Sequence, residues 1–210
     1  MTLCFVLIGS IQPIAEIVTI CRESIVPRVI IHTDASQSIG KVPIDVTTLK
    51  VDLLTICSHK FHGPKGIGAL YIRRGVHLER SIHGASHERS LRPGTENVLA
   101  IEGLGKVCEL LSDKSILNQR IEQMRRTRDR LYQGLVAQFQ DRSNNFLIRN
   151  GSDRGLPNTL SLSFPQVNGK TLVEQLKSRL AFSTGSACHE QSKTFKTMST
   201  TLRAIGNHLE

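Results

Sequence analysis

The sequence predicts an α/β fold in layers, with a mostly parallel sheet. Three observations lead there. Short β-branched or apolar runs occupy residues 28–32, 51–57 and 69–73, each of strand length and each bounded by turn residues. Segments with apolar residues at helical spacing alternate with them. Such alternation packs helices on the faces of a sheet whose strands run mainly parallel.

Taken in order, the chain opens apolar, with no charge before Glu16. It lacks the basic start of a signal peptide, and Pro13 interrupts the run, so a strand, a loop holding Gly9 and Pro13, and a helix at 14–24 fit better. A helical turn is expected at 45–50, between the first two strands. A glycine-rich turn at 63–68 leads into the third. Residues 96–111 and 114–138 read as long helices leaving the sheet. The pattern changes from about 147: a strand at 160–164, a helix at 170–180, and a short strand at 181–183. Two units follow, a large one over 1–139 and a smaller α+β one over 140–210. No stretch is long and apolar enough to span a membrane.

The net charge is +9. The densest basic run, 120–130, also carries Glu122 and Asp129 on a helical period, and the chain has no Trp and two Tyr. It therefore lacks the aromatic-interleaved basic stripe of a nucleic-acid surface, and the excess suits anionic substrates and cofactors. The cysteines are Cys4, Cys21, Cys57, Cys108 and Cys188, with no CxxC pair. That argues against a metal site of the usual spacing and for reduced thiols in a reducing compartment. Most are expected as small core residues, with Cys188 the exception.

Four constellations carry chemistry. Asp34, followed by Ala35-Ser36-Gln37, stands just past a predicted strand, where α/β sheets present ligands; it suits a cationic ring nitrogen or, equally, a helix cap. Cys57-Ser58-His59-Lys60 also ends a strand. A lysine partly desolvated there is a Schiff-base nucleophile, though a solvated loop lysine is the ordinary case. Arg92-Pro93-Gly94-Thr95 precedes a long helix, so Thr95 either helps hold an anion or caps. Ser183-Thr184-Gly185-Ser186-Ala187-Cys188-His189 sets one thiol among small residues in a loop followed by polar sequence.

In this order the four resemble the class V (fold type I) pyridoxal-phosphate (PLP) enzymes, and within them the cysteine desulfurases and selenocysteine lyases. The resemblance runs from about Ile11 to Gly206. It implies an aspartate aminotransferase-like PLP-dependent transferase fold, present as a partial large domain and a partial small α+β domain. It implies PLP carried on Lys60, Asp34 on the pyridine nitrogen, Gln37 on the phenolic oxygen, Ser58 and His59 at the phosphate, and Thr95 reaching the other subunit's cofactor in a homodimer. Cys188 would take sulfur or selenium from L-cysteine or L-selenocysteine, leaving L-alanine, for an acceptor protein in sulfur metabolism or iron–sulfur cluster assembly. The compartment implied is the cytoplasm, or the mitochondrion given a leader.

The sequence also departs from the family. The opening segment, with its ring-stacking His and phosphate loop, has no counterpart. Phe5, Val6 and Leu7 stand where the family has Asn-Asn-Glu, so the first ten residues read as foreign to it. The chain stops shortly after Gly206, before the arginine that grips the substrate carboxylate. Cys57 replaces a serine. Impaired activity is expected, and the alternative is a non-catalytic fragment that acts as an interaction partner. His189 and a long spacer to Arg203 lean toward the selenocysteine lyase branch.

Overall fold

The computed structural model describes residues 1, 3–5, 8–24, 29–139 and 146–184. The chain opens with a short antiparallel pair, β1 (Cys4–Phe5) and β2 (Ser10–Ile11). Helix α1 (Ile14–Ser24) follows, as its apolar spacing predicts, and buries Ile14 and Val18. Next come β3 (His32–Asp34), the single turn α2 (Val46–Leu49), β4 (Leu53–Cys57), a 3-10 turn (Ser58–Phe61) and β5 (Gly68–Ile72). Asp45 caps α2 through Thr47 N–H, and Lys50 ends it in a left-handed conformation.

The sheet has the order β3-β4-β5. β3 and β4 are parallel, but β4 and β5 are antiparallel, which corrects the mostly parallel expectation. The cause is the connection. Residues 58–67 fold as one tight turn, and a parallel return needs a longer crossover, usually through a helix. β3 also begins later than the apolar run suggested. Ile31 N–H donates to the Asp52 carboxylate at 2.9 Å instead of to a strand partner.

Asp52 is wholly buried and organises this end of the sheet. Its Oδ1 lies 3.4 Å from Arg22 of α1 and 3.3 Å from Arg73, just past β5. Both arginines also donate to the Lys50 carbonyl. A buried carboxylate persists when it is paired and hydrogen-bonded in this way.

Leu3, Ile14, Val18, Ile31, Ala35, Val51, Leu54 and Leu156 form the core. Burying each large aliphatic among them is worth about 1.5–3 kcal/mol. Leu156 lies beyond the expected boundary at 139/140, so the two units share this core. The opening residues join it too: Leu3 N–H donates to Asp34 O at 2.9 Å, and Met1 O accepts from Asp34 N–H at 2.8 Å.

Helices α3 (Val98–Ser112) and α4 (Lys114–Gln138) pack together, with Asp113 capping α4 through Ser115 N–H. Beyond them, β6 (Ile148–Asn150) pairs antiparallel with β7 (Ser161–Ser163), and α5 (Gly169–Leu176) is capped by Asn168. Phe139, Phe146 and Phe164 cluster beside this hairpin. The strand expected at 181–183 does not form. No helix among the described residues is long and apolar enough to cross a membrane.

Candidate functional site

β3 and β4 run parallel with Asp34 opposite Thr55, so the segments that follow them emerge at the same end of the sheet. This brings Asp34 and Gln37 to one side, and Cys57 to Lys60 to the other. Ala35 N–H donates to Thr55 O at 2.9 Å and closes the gap between the two exits.

Asp34 is exposed, and its Oδ1 accepts from Ser36 N–H at 2.8 Å. Of the two readings of this carboxylate, the cap takes the form of an Asx-type turn rather than a helix start, since turns occupy 36–41. The second carboxylate oxygen keeps its acceptor capacity. Gln37 is half-buried, and Lys41 Nζ donates to both its main-chain oxygen (2.9 Å) and its Oε1 (3.2 Å).

The 3-10 turn decides which of its residues face out. Three residues complete a turn of this helix, so positions i and i+3 share a side. Here Ser58 and Phe61 are that pair, and both are buried, while His59 and Lys60 are exposed. Lys60 is therefore solvated, contrary to the desolvation expected at a buried strand end. Ser58 Oγ has no hydrogen-bond partner among the described residues. It is pressed against Gly63, where an added Cβ would lie 2.1 Å from it. The hydroxyl is thus enclosed by the turn and not offered at its surface, which leaves Ser58 without the exposed donor position expected of it. Cys57 instead approaches His59, with Sγ 3.1 Å from Nδ1.

Thr95 is exposed and does not cap α3; Asn97 does, accepting from Ala100 N–H at 3.2 Å. Upstream, Arg92 donates to the Pro93 and Gly94 carbonyls and pairs with Glu88. No described hydrogen bond or ion pair joins Thr95 to the Asp34–Lys60 group. Cys188 and His189 lie outside the described residues.

A cavity of about 470 Å³ borders the site. Ile39 to Lys41, Lys60 to His62, Leu111 of α3 and several α4 side chains line it, but Asp34, Gln37, Ser58 and His59 do not. It is a neighbour of the strand-end group, with α3 and α4 forming part of its wall. Sequence reasoning missed Lys41. The signal was present in its i+4 spacing from Gln37, immediately after Gly40. No group of metal-ligating side chains occurs among the described residues.

The family model for "Aminotransferase class-V" matches residues 4–205. The match begins inside the stretch expected to be foreign to the family. Among curated proteins, the chain is 42% identical over 189 residues to a cysteine desulfurase IscS of Clostridium botulinum (strain Hall), covering 88% of this chain and 45% of that protein. It is 44% identical over 202 residues to cysteine desulfurase IscS of Histophilus somni (strain 2336), covering 95% and 46%. The chain thus spans about half the length of the curated relatives it matches. Among solved structures, a NifS-like protein superposes with TM-score 0.71 at 35% identity, over 84% of this chain and 46% of that one. SspA in complex with cysteine superposes with TM-score 0.70 at 30% identity, over 99% and 54%. The matched family model and these likenesses agree: the chain belongs to the aminotransferase class-V family, on its PLP-dependent cysteine desulfurase branch, and carries part of the aspartate aminotransferase-like fold.

Proposed function

We propose that this chain is the cofactor-anchoring and sulfur-carrying part of a PLP-dependent cysteine desulfurase, which converts L-cysteine to L-alanine and passes the sulfur to an acceptor protein. One observation carries the reading. A carboxylate, Asp34, and a primary amine, Lys60, leave adjacent parallel strands at the same end of the sheet.

The donor set fits the cofactor chemically. Asp34 offers a carboxylate oxygen to a protonated ring nitrogen, and Gln37 offers amide hydrogens to the phenolic oxygen. The imidazole of His59, with Cys57 beside it, takes the phosphate side in place of the enclosed Ser58. Lys60 holds the group through its amine. When bound, PLP supplies an electron sink that weakens the bonds at the substrate's α- and β-carbons. Lys60 is the base placed to move the substrate's protons, and its exposure keeps it open to an incoming amino acid. Cys188 thiolate then attacks the substrate sulfur. The S–S bond forms as the C–S bond breaks; the C–S electron pair stays with the substrate's β-carbon, which takes up a proton to become the methyl of alanine, and the chain is left with a persulfide. Thr95 completes the phosphate site of a second subunit in a homodimer. The reaction is assigned to a reducing compartment, the cytoplasm or the mitochondrial matrix, where a sulfur-accepting thiol stays reduced.

A second reading has its own observation. The first turn of α3 exposes Val98 (64%) and Leu99 (87%), and β5 exposes Leu70. A fragment that works by binding another polypeptide would cover such exposed apolar side chains in the complex.

Titration of the purified chain with PLP separates the two. A band near ~420 nm that Lys60→Ala abolishes is the expected result, since PLP enzymes hold the cofactor on a lysine. Alanine release from L-cysteine, compared with L-selenocysteine, then fixes the substrate. A folded chain with no such band would overturn the enzyme reading in favour of the binding fragment.

A further inference from the structure

The turn after β3 holds a lysine with no part in the chemistry above. Lys41 is 9% exposed, and its ammonium meets Gln37 twice, at the main-chain oxygen (2.9 Å) and at Oε1 (3.2 Å). Packing imposes this position. Gly40 precedes it with φ +72°, and a Cβ there would lie 3.2 Å from both Leu111 and Phe61. The chain therefore turns left-handed, close under α3, and Lys41 is carried back toward Gln37.

An ammonium has three donors and no acceptor. It can bond the Gln37 amide through its oxygen alone. The amide is thus held one way round, oxygen toward Lys41 and NH₂ away from it. The geometry points to Lys41 as a positioning residue that makes Gln37 an obligate donor at the C-terminal end of β3. This rests on the reading that Gln37 faces the phenolic oxygen of PLP, and it explains how that contact keeps its polarity. Turned outward, the NH₂ offers hydrogens to an ionised oxygen. Reversed, the amide would present a lone pair and repel it. The charge on Lys41 also polarises the amide and strengthens the bond it donates.

The link can be read first without cofactor. In the ¹⁵N-labelled chain, the side-chain amide signals of Gln37 are identified by their loss in Gln37→Leu. In Lys41→Met they should move to the positions of free glutamines; in Lys41→Arg, which keeps charged donors, they should stay close to wild type. Signals that do not move in Lys41→Met would overturn the proposal. PLP titration supplies the second readout. Lys41→Met should weaken binding about tenfold, the effect of losing one charge-assisted contact, and Lys41→Arg should restore most of it. Gln37→Leu should weaken binding alike, and adding Lys41→Met to it should cost nothing more. A further loss in that background would show that Lys41 acts by another route. If wild type forms no Lys60-dependent band, the cofactor reading fails on its own, and the amide signals still decide whether Lys41 sets Gln37. Thermal melting checks each variant's fold; should Lys41→Met not fold, Lys41→Gln replaces it in both measurements.

Discussion

Arg128 stands on α4 with 9% of its surface exposed, and it is kept there by two bonds. Its Nη1 donates to Leu156 O at 3.0 Å, and its Nε donates to Asp129 at 2.8 Å. Arg128→Ala removes the tie between α4 and the loop that delivers Leu156 to the core. The expected loss is about 2 kcal/mol in urea denaturation, within the range for breaking charged, part-buried contacts. The same pair sets an acid limb. The hydrogen bond from Arg128 holds the Asp129 carboxyl below its ordinary value of 3.8. A depressed carboxyl contributes stability that is present above its unfolded value and drains away as pH falls through the folded one. Thermal stability should therefore decline below pH 3.8, and Asp129→Asn should flatten that decline. Cysteines were harder to place from sequence. Cys21, Cys57 and Cys108 are half-buried rather than core, because each sits on an element with one face open.

Elements with a local cause were legible in the sequence. Helix 14–24 follows directly on Pro13, and helix 114–138 begins on the Asp113 cap; both have the predicted ends. Elements that depend on a distant partner were not. β3 starts late because Asp52, from beyond α2, takes the Ile31 N–H. The strand at 181–183 has β propensity but no ladder partner among the described residues. The site divides in the same way. The order of Asp34, Lys60 and Thr95 was visible in one dimension, whereas the burial of Ser58 follows from a 3-10 period that its flanking residues do not announce. Gly63 tests that period. An added methyl would meet Ser58 Oγ at 2.1 Å and must displace the turn that carries Lys60. Gly63→Ala should lower both melting temperature and PLP affinity. Ser58→Ala in the same chain should recover part of both, since it removes the clashing oxygen.

Across the described residues, the α/β expectation held in its layers and in the parallel β3–β4 pair, and failed in the direction of β5. Periodicity reports which face of a segment is buried, whereas the short connection at 58–67 sets the direction of β5. The two units expected from the change of pattern near 147 are tied at their centre. Leu156 N–H donates to Gly9 O at 2.7 Å, and Arg128 bonds its carbonyl, so the small unit completes the core of the large one. The pairing of β4 with β5 also has a kinetic meaning. Its partners, from Leu53–Ile72 to Cys57–Gly68, are close in sequence, whereas the β3–β4 pairs must first enclose the segment with α2. Short-range closure is faster than long-range closure. Pulsed hydrogen exchange during refolding should then protect the β4–β5 amides before that of Asp34. In that order of protection Lys60 lies inside the hairpin that forms first, so the anchoring amine would be fixed while its carboxylate partner is still being sought, and the hairpin would be the template on which the rest of the site is assembled in time.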